Sequence, residues 1–428
     1  MKTPIMKSSI PGLAEFPARF DRIPTGDGWV EGRRRLDGAE GLWRINDRLY
    51  DLTNFVKKHP GGSEWLTITK GTDITELFES HHLTDKAEKL LPKFYIREAA
   101  EPRAIPWTFD KNGFYKKFKE RAIVALKNTD FHRPALKSNL LADFLAIATL
   151  LLCVITAITQ SRLALIMAGH IMAFTVISAH NYFHMRDNFR MYYFDISLMS
   201  SREWRITHAM SHHMYPNTIW DFEIISFEPL LQYLPKIPAP ISRKISWLYS
   251  PVLYFIAFHS QGVKRYIEVL LVRQKIEFRD VVPFIIPAFM FYATENLSIT
   301  FKYWMLIIAV ASFVFHAIGL NGAHHHPEIF HDGDHSRSDL DWGLLEMDTV
   351  RDRDVIDNNY FLTLTQYGHH SLHHLMPTVD HGYLHLCLPA LAETCREFGV
   401  NMVSFSPFEL IKGQFKQLRR VESRKNHR

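Results

Sequence analysis

Four apolar stretches interrupt an otherwise polar chain. They run Leu140–Thr159, Leu163–Ala179, Val281–Thr294 and Tyr303–Leu320. A helix rises about 1.5 Å per residue, so about twenty apolar residues cross a hydrocarbon core of roughly 30 Å. Short polar tips separate the first stretch from the second and the third from the fourth. The pattern therefore predicts an all-α bundle of about four membrane spans in two hairpins.

The chain before these stretches shows three different patterns. Residues 1–38 are rich in Pro, Gly and Arg without a sustained period, which predicts a loose leader. Short apolar alternations from Leu42 predict two strands feeding a helix in residues 39–98. Residues 99–138 combine a proline-containing linker with a basic amphipathic helix. That helix either lies on an anionic membrane face or packs on the protein surface.

The remaining segments complete the predicted organisation. Residues 139–412 form one membrane domain, and a basic tail occupies residues 413–428. Inside the membrane domain, Leu248–Phe258 is apolar but short and contains Pro251. We expect this segment to be interfacial or re-entrant, because it is too short for a span.

Histidine usage is the unusual feature of the composition. The chain of 428 residues has 24 histidines, and many are clustered. A net charge of +5 is small for this length and does not indicate a nucleic-acid partner. The three cysteines form no CxxC pair, so neither a disulfide framework nor a thiolate zinc site is indicated.

Positive charge is distributed unevenly around the predicted spans. The loops between the two hairpins and the C-terminal tail carry many Lys and Arg residues, whereas the hairpin tips carry very few. The first forty residues also lack the apolar core of a signal peptide. The positive-inside rule therefore places both termini and the histidine clusters in the cytosol.

Three histidine clusters lie in the polar segments beside the spans. Within a cluster, spacings of three or four residues put side chains on one face of a helix. Imidazole is a common ligand for iron, so the clusters predict a metal site. Their members are His180 and His184; His208, His212 and His213; and His370, His373 and His374.

A further histidine precedes a tight turn, His59-Pro-Gly-Gly, and residues 71–78 read Gly-Thr-Asp-Ile-Thr-Glu-Leu-Phe. Proline and paired glycines allow the backbone to approach a flat ligand closely. With these motifs, residues 39–98 resemble a cytochrome b5 haem-binding domain. The resemblance implies a haem b whose first axial ligand is His59. His82, four residues after Phe78, matches the second ligand, and His81 is the alternative.

The three histidine clusters and the predicted hairpins, over residues of about 138–410, resemble the membrane fatty-acid desaturase and hydroxylase superfamily. The resemblance implies that all eight clustered histidines bind two non-haem iron ions. It also implies another ligand just after the fourth span. There Asn321-Gly-Ala-His-His325 fits an Asn-x-x-x-His pattern, with His325 as a ligand and Asn321 acting through water; His324 and His326 are alternatives.

Residues around the metal ligands are also expected to matter. A ligating imidazole normally donates its second N–H to a carboxylate or a carbonyl. Carboxylates near the clusters in sequence are candidates for this role, and no catalytic side chain beyond the metal ligands is indicated. The candidates are Glu203, Asp195, Asp221 and Asp357.

The order of the two domains resembles the front-end desaturases and also a group of insect proteins related to cytochrome b5. Two departures separate the chain from the front-end pattern. Three residues, rather than two, precede the His212-His213 pair, and His370 stands where front-end enzymes commonly carry Gln. These departures favour the insect group.

The resemblance implies an O₂-dependent enzyme that inserts a double bond into a long acyl chain. The fused haem domain would supply the electrons, and NADH-cytochrome b5 reductase would reduce it. The substrate would be an acyl-CoA or a lipid taken from the bilayer, and we expect a multi-pass protein of the endoplasmic reticulum membrane. Two alternatives remain at this point: a lipid hydroxylase on the same scaffold, and a non-catalytic membrane-anchored electron carrier.

Overall fold

The computed structural model describes residues 7–15, 24–235, 241–319 and 323–425. A small N-terminal domain with a three-stranded sheet precedes a mostly helical domain, which confirms the predicted fold class. The N-terminal elements are α1 (Gly26–Leu36), β1 (Trp43–Ile45), β2 (Arg48–Tyr50), a 3-10 turn (Val56–Lys58), α2 (Ser63–Thr69), α3 (Thr75–His81), α4 (Lys86–Leu90), a 3-10 turn (Leu91–Lys93) and β3 (Tyr95–Glu98).

The sheet of the N-terminal domain is antiparallel, in the order β1-β2-β3. Asn46 makes the tight turn between β1 and β2 with a φ of 54°, a conformation that Asn tolerates better than most residues. Trp43 and Leu49 are fully buried, and Trp43 packs with Leu66 of α2 and with Ile74. This core fixes α2 and α3 against the sheet.

The predicted leader contains an ordered helix, α1. The Thr25 side chain caps it by accepting a hydrogen bond from the Gly28 N–H. Arginines occupy its last turn, where their positive charges interact favourably with the helix dipole. Trp29 is buried, and the buried Arg33 donates to Asp37 and to Tyr215 of the helical domain. The prediction of a loose leader is therefore wrong for residues 26–36, because capping and burial outweigh the glycines.

The amphipathic helix of the linker is α5 (Phe114–Leu126). Phe114, Phe118 and Leu126 are fully buried, and Arg121 donates to Thr394 near the C-terminus. Since its apolar face is covered by protein, α5 is a packed helix. Of the two alternatives for this segment, packing on the protein is the one observed.

The two predicted hairpins fall in the middle of the chain, between residues 136 and 319. Its elements are α6 (Leu136–Thr159), α7 (Arg162–Phe183), 3-10 turns at Phe189–Tyr193 and Asp195–Ser197, α8 (Ser201–Trp204), a π-helix (Arg205–His212), α9 (Phe222–Ile225), α10 (Ile241–Ile267), a π-helix (Glu268–Arg273), α11 (Phe278–Val281), a 3-10 turn (Val282–Phe284), α12 (Ile285–Thr294) and α13 (Leu297–Gly319).

Among the described residues, three helices are long and apolar enough to cross a membrane: α6, α7 and α13. The fourth predicted span, Val281–Thr294, differs. Its α12 has ten residues and begins only after Pro283, with Pro287 in its first turn. Proline has no amide N–H to donate to the carbonyl four residues earlier, so α12 cannot continue towards the N-terminus and is short. The helix still packs against α6 and α13.

The predicted interfacial segment Leu248–Phe258 lies inside α10, a helix of 27 residues that continues through Pro251. The helix packs along α13, where the Ser312 hydroxyl accepts from the Phe258 N–H and donates to the Tyr254 carbonyl. Leu248 and Val252 on its other face are exposed. Such a helix presents an apolar face to lipid beside a span.

The C-terminal part completes a cap over the spans. The predicted basic tail begins within its last helix, which packs against α10, and Arg420 pairs with Asp334. The first residues of that tail are therefore part of the folded domain. The elements are α14 (Trp342–Thr349), α15 (Asp354–Asp357), α16 (Tyr360–Thr365), α17 (His370–Leu375), α18 (His381–Leu384), a 3-10 turn (His385–Cys387), α19 (Leu388–Glu397) and α20 (Pro407–Arg419).

Candidate haem site and metal centre

Two histidines of the N-terminal domain face each other across a gap. The ring centres of His59 and His82 are 6.2 Å apart. Two imidazoles bound to opposite sides of one metal through bonds of about 2 Å would have ring centres roughly 6 Å apart. The spacing therefore fits a pair of axial ligands.

Hydrogen bonds at Nδ1 leave the Nε2 of each ring free for a metal. The Nδ1 of His59 lies 2.9 Å from the Gly62 carbonyl, and the Nδ1 of His82 lies 3.0 Å from the Phe78 carbonyl. A carbonyl only accepts, so each Nδ1 carries the proton and each Nε2 offers a lone pair. The alternative His81 instead packs its ring 5.0 Å from that of Trp65.

The first histidine cluster lies at the end of α7. His180 is in the last turn and His184 is the C-terminal cap, and both are fully buried. The α-helical spacing brings their Nε2 atoms within 2.9 Å of each other. This pairing is the one that the sequence predicted.

The second cluster lies on the π-helix Arg205–His212 and at its end. The His213 N–H donates to the His208 carbonyl, which is an i to i+5 bond, and the Nε2 atoms of these two residues are 3.1 Å apart. In this wider turn, residues five apart share a face. His208 therefore pairs with His213 through Nε2. The His212 ring lies on the same face as that of His208, as the spacing predicted, with the ring centres 5.2 Å apart, but its Nε2 is directed to His324 at 3.1 Å.

The third cluster forms helix α17, and one more histidine joins it from the segment after α13. His324 places its Nε2 2.8 Å from that of His370 and 3.1 Å from that of His212. The rings of His374 and His213 stack with their centres 4.0 Å apart. These contacts connect the third cluster to the second.

The nine histidines form two adjacent groups in the buried interior of the cap. The Nε2 of His180 is 2.7 Å from that of His208 and 3.4 Å from that of His373. The first group consists of His180, His184, His208, His213 and His373. The second group consists of His212, His324 and His374, with His370 beside His324.

The structure corrects the ligand predicted after the fourth span. His325 stacks on Tyr233, with ring centres 3.7 Å apart, and its ring centre is 6.4 Å from that of His324. His324, one of the two alternatives, occupies the position among the other histidines instead. Neighbouring residues outside a helix point in different directions, which sequence spacing alone does not resolve. Asn321 lies outside the described residues.

Three carboxylates and one backbone carbonyl accept hydrogen bonds from the Nδ1–H groups of four rings. The Nδ1–H groups of His208, His212 and His374 face Glu223 at 2.5 Å, Asp221 at 2.8 Å and Glu346 at 2.8 Å. The Nδ1 of His324 faces the Thr349 carbonyl at 3.0 Å. Three of these partners support the second group, whereas Glu223 supports the first.

Of the four carboxylates proposed from sequence for this role, Asp221 has it. The other three have different partners. Glu203 accepts from Lys264, Asp195 pairs with Arg265, and Asp357 accepts from the His369 N–H. Glu223 and Glu346 were not proposed, and only the folded structure brings Glu346 next to His374.

The donor set fits metal ions. Atoms bound about 2 Å from one metal lie roughly 3 Å apart, as these Nε2 atoms do. Neutral imidazoles carry one proton each, so the buried nitrogens cannot all satisfy one another, whereas a cation between them would. Burial lowers the pKa values of His184, His213, His373 and His374 well below the ordinary value, which keeps these rings neutral.

Two groups show the electrostatic demand for a cation. Burial alone would lower the pKa of His212, but Asp221 and Glu223 raise it to about 9. Burial, reinforced by Asp221, raises the pKa of Glu346 well above the ordinary value. A bound metal would supply the positive charge that Asp221 and Glu346 otherwise obtain from a proton.

One buried histidine near the site was not predicted. His381 places its ring 4.2 Å from that of His373, and its Nδ1 lies 2.9 Å from the Asn181 Oδ1. It follows His374 by seven residues, but α17 ends at Leu375 and His381 begins a separate helix, α18, so helical spacing does not place it beside the third cluster. Its place beside the first group depends on how α17 and α18 pack.

An open cleft lies against the second group, with His212, His324 and His370 at its wall. Aromatic side chains, including Trp204, Phe315 and Tyr367, line much of the rest. One side carries the ion pair of Lys264 and Glu203, with N and O atoms 2.7 Å apart. The cleft thus combines apolar walls, a charged pair and the metal-ligand candidates.

The architecture combines a small N-terminal domain that carries two facing histidines with a histidine-rich helical domain, in which three helices are long and apolar enough to cross a membrane. The chain belongs to the fatty acid desaturase family: residues 159–406 match the family described as "Fatty acid desaturase". Residues 31–100 match "Cytochrome b5-like Heme/Steroid binding domain". The cytochrome b5-like domain implies haem, and the desaturase domain implies iron.

Individual relatives agree with both assignments. The chain is 44% identical over 418 residues to the "Cytochrome b5-related protein" of Drosophila melanogaster, covering 96% of each chain, which confirms the predicted similarity to the insect group. It is 24% identical to "Acyl-lipid (8-3)-desaturase B" of Dictyostelium discoideum, covering 84% of this chain and 86% of that one. "Delta(5) fatty acid desaturase A" of the same organism is also 24% identical, covering 90% and 91%. No solved structure matches the chain.

Proposed function

We propose that the protein is an O₂-dependent desaturase of long fatty-acyl chains with its own haem electron donor. The observation that carries this proposal is the convergence of nine buried histidines in two adjacent groups beside the apolar cleft. Two metal positions need about this number of ligands from several helices. The names of the Dictyostelium relatives support desaturation as the reaction.

In this proposal each histidine group would hold one iron ion, and iron with O₂ would supply the oxidising power needed to break an unactivated C–H bond. Asp221, Glu223 and Glu346 fix the tautomer and orientation of their histidines. Trp204, Phe315 and Tyr367 bury the acyl chain and keep water away from the reacting carbons. Lys264 and Glu203 lie where a polar part of the substrate would be bound.

The haem domain would act as the electron donor, with His59 and His82 as axial ligands of haem b. A haem held by both His59 and His82 would have no position open to O₂ and would therefore supply electron transfer. An external NADH-cytochrome b5 reductase would reduce the haem. Fusion raises the effective concentration of the donor at the metal centre.

The proposal includes a place in the cell. Three apolar helices support a membrane protein, and Lys and Arg in the loops favour a cytosolic cap. A substrate drawn from the bilayer, as a lipid or an acyl-CoA, would then reach the cleft from the endoplasmic reticulum membrane. No nucleic acid takes part.

Expression in yeast followed by lipid profiling tests the function. We expect a new olefin in the fatty-acid profile, absent from cells that express the His373→Ala variant and present in cells that express His325→Ala. A new hydroxylated lipid without any olefin would replace desaturation by hydroxylation. Unchanged lipids from a protein that holds haem and lacks non-haem iron would leave only electron transfer.

A further inference from the structure

The turn that follows the haem-ligand candidate His59 touches the loop after the first histidine cluster. The Asp187 N–H donates to the Gly61 carbonyl at 3.3 Å. Gly62 has a φ of 108°, and a Cβ on it would lie 2.3 Å from the Asp187 carboxylate. Glycine is therefore needed at position 62 both for its backbone conformation and for this close approach. Asp187 follows His184 by three residues.

One buried side chain joins this turn to two histidine clusters. Arg205, whose side chain is fully buried, donates to Glu64 at 2.6 Å and to Asp187 at 3.0 Å. Its Nε donates to the Phe183 carbonyl at 3.1 Å, and Phe183 directly precedes His184. Arg205 itself precedes His208 by three residues on the π-helix.

The haem domain contributes two neighbouring residues of α2 to this contact. The Arg205 guanidinium lies 4.8 Å from the centre of the Trp65 ring, a cation–π distance. Glu64 also accepts from Arg279 at 2.7 Å. Although burial alone would raise the pKa of Glu64, Arg205 and Arg279 lower it below the ordinary value, so the carboxylate is ionised at neutral pH.

Helix α3, which precedes the other haem-ligand candidate His82, is also linked to a histidine cluster by hydrogen bonds. The Tyr115 hydroxyl lies 3.1 Å from the Glu79 carbonyl of α3 and 3.3 Å from the Leu375 carbonyl, next to His374. The two sides of the haem pocket are thus anchored to different clusters of the cap. Glu79 also forms ion pairs with Lys116 and Lys119 of α5, whereas the Arg205 contact joins the haem domain directly to the π-helix that carries a histidine cluster.

We propose that Arg205 is a positioning residue that, through Glu64, holds the haem domain against the histidine clusters so that electrons pass from haem to the metal centre in the docked state. This inference rests on the proposed donor role of the haem. Each haem oxidation releases one electron. Two such oxidations, two electrons and two protons from the substrate C–H bonds, and two protons from solvent reduce one O₂ to two waters.

Oxidation of the reduced haem tests the role of Arg205 on the full-length protein in lipid nanodiscs. The haem is reduced with NADH and cytochrome b5 reductase without oxygen, the protein is mixed with O₂, and the Soret band is followed. We expect Glu64→Gln to slow haem oxidation by at least about tenfold, because small displacements of reacting groups have effects of this size. Haem spectrum and non-haem iron content should stay unchanged.

The matched control is Asp143→Asn. It removes the ion pair with Arg190, which follows Asp187 by three residues, and both residues of this pair lie outside the N-terminal domain. We expect its haem oxidation rate to match that of the wild type. Hydrogen exchange provides a second measurement: Glu64→Gln should speed exchange in residues 59–67 and leave strands β1 and β2 unchanged.

Two outcomes separate this inference from the proposed function. Wild-type oxidation no faster than that of His373→Ala would refute the donor role of the haem and the inference with it. A slow His373→Ala variant, together with a wild-type oxidation rate in a Glu64→Gln variant that hydrogen exchange shows to be undocked, would refute the role of the Arg205–Glu64 pair alone. If hydrogen exchange shows that the Glu64→Gln variant is still docked, the test uses Glu64→Arg, which adds a third cation at the contact. A wild-type rate of haem oxidation in the Glu64→Arg variant overturns the inference.

Discussion

The candidate haem site and the candidate metal centre of this protein are both built from histidine, yet they are assembled differently. His59 and His82 come from one small domain, 23 positions apart, and each is partly exposed. The nine histidines of the cap come from four segments between residues 180 and 374 and are buried. A local site depends on one domain, whereas the cap site depends on the packing of the whole membrane domain.

The largest expected effect separates the two sites completely. His374→Ala removes a ligand candidate from the second group and leaves Glu346 without its partner. We expect loss of non-haem iron and of activity with an unchanged haem spectrum, measured by elemental analysis and by the haem absorbance per chain. Loss of haem in this variant would contradict the independence of the two sites.

The reciprocal change is His59→Ala. It removes one of the two facing imidazoles, so we expect loss of the b-type haem spectrum and retention of non-haem iron. Activity should fall to the level that an added soluble electron donor can sustain. Non-haem iron lost together with haem would show that the sites are coupled.

A smaller contrast lies within one dipeptide. His324→Ala should lower the non-haem iron content markedly, because His324 contacts both His212 and His370. His325→Ala should leave the iron content near that of the wild type, since His325 stacks on Tyr233 outside the groups. Equal losses from the two variants would contradict this division.

The smallest effect concerns the support of the ligands. Glu346→Gln keeps the volume and removes the carboxylate behind His374, and we expect the affinity for iron to fall by about 10- to 100-fold. Competition with a chelator measures this change. The same substitution at the exposed Glu393, which pairs with Arg121, serves as the control and should have no effect. An unaltered affinity in Glu346→Gln would show that the carboxylate does not tune the site.

Much of the fold could be predicted because its signals are local. The apolar runs of α6, α7 and α13 are continuous, and two short strands precede the His-Pro-Gly-Gly turn as expected. Helix α1 also had local signals, since Thr25 is a good cap and three arginines end the helix, but the glycines obscured them. The short α12 reflects two prolines whose effect on helix length depends on the neighbouring helices.

The parts of the site that sequence did not resolve are those set by long-range packing. The spacing of His208, His212 and His213 predicted an α-helical face, but the π-helix pairs residues five apart. The choice of His324 over His325 depends on a loop that docks against α17. Glu346 and His381 reach the histidines only through the arrangement of the C-terminal helices.

The iron content of the purified full-length protein tests the central claim most directly. Total iron by elemental analysis, with haem iron subtracted after separate quantification of the haem, gives the non-haem iron per chain. The two histidine groups predict two non-haem iron ions for each haem. A protein that holds its haem but binds no further iron, even when supplied with excess Fe(II), would contradict the account.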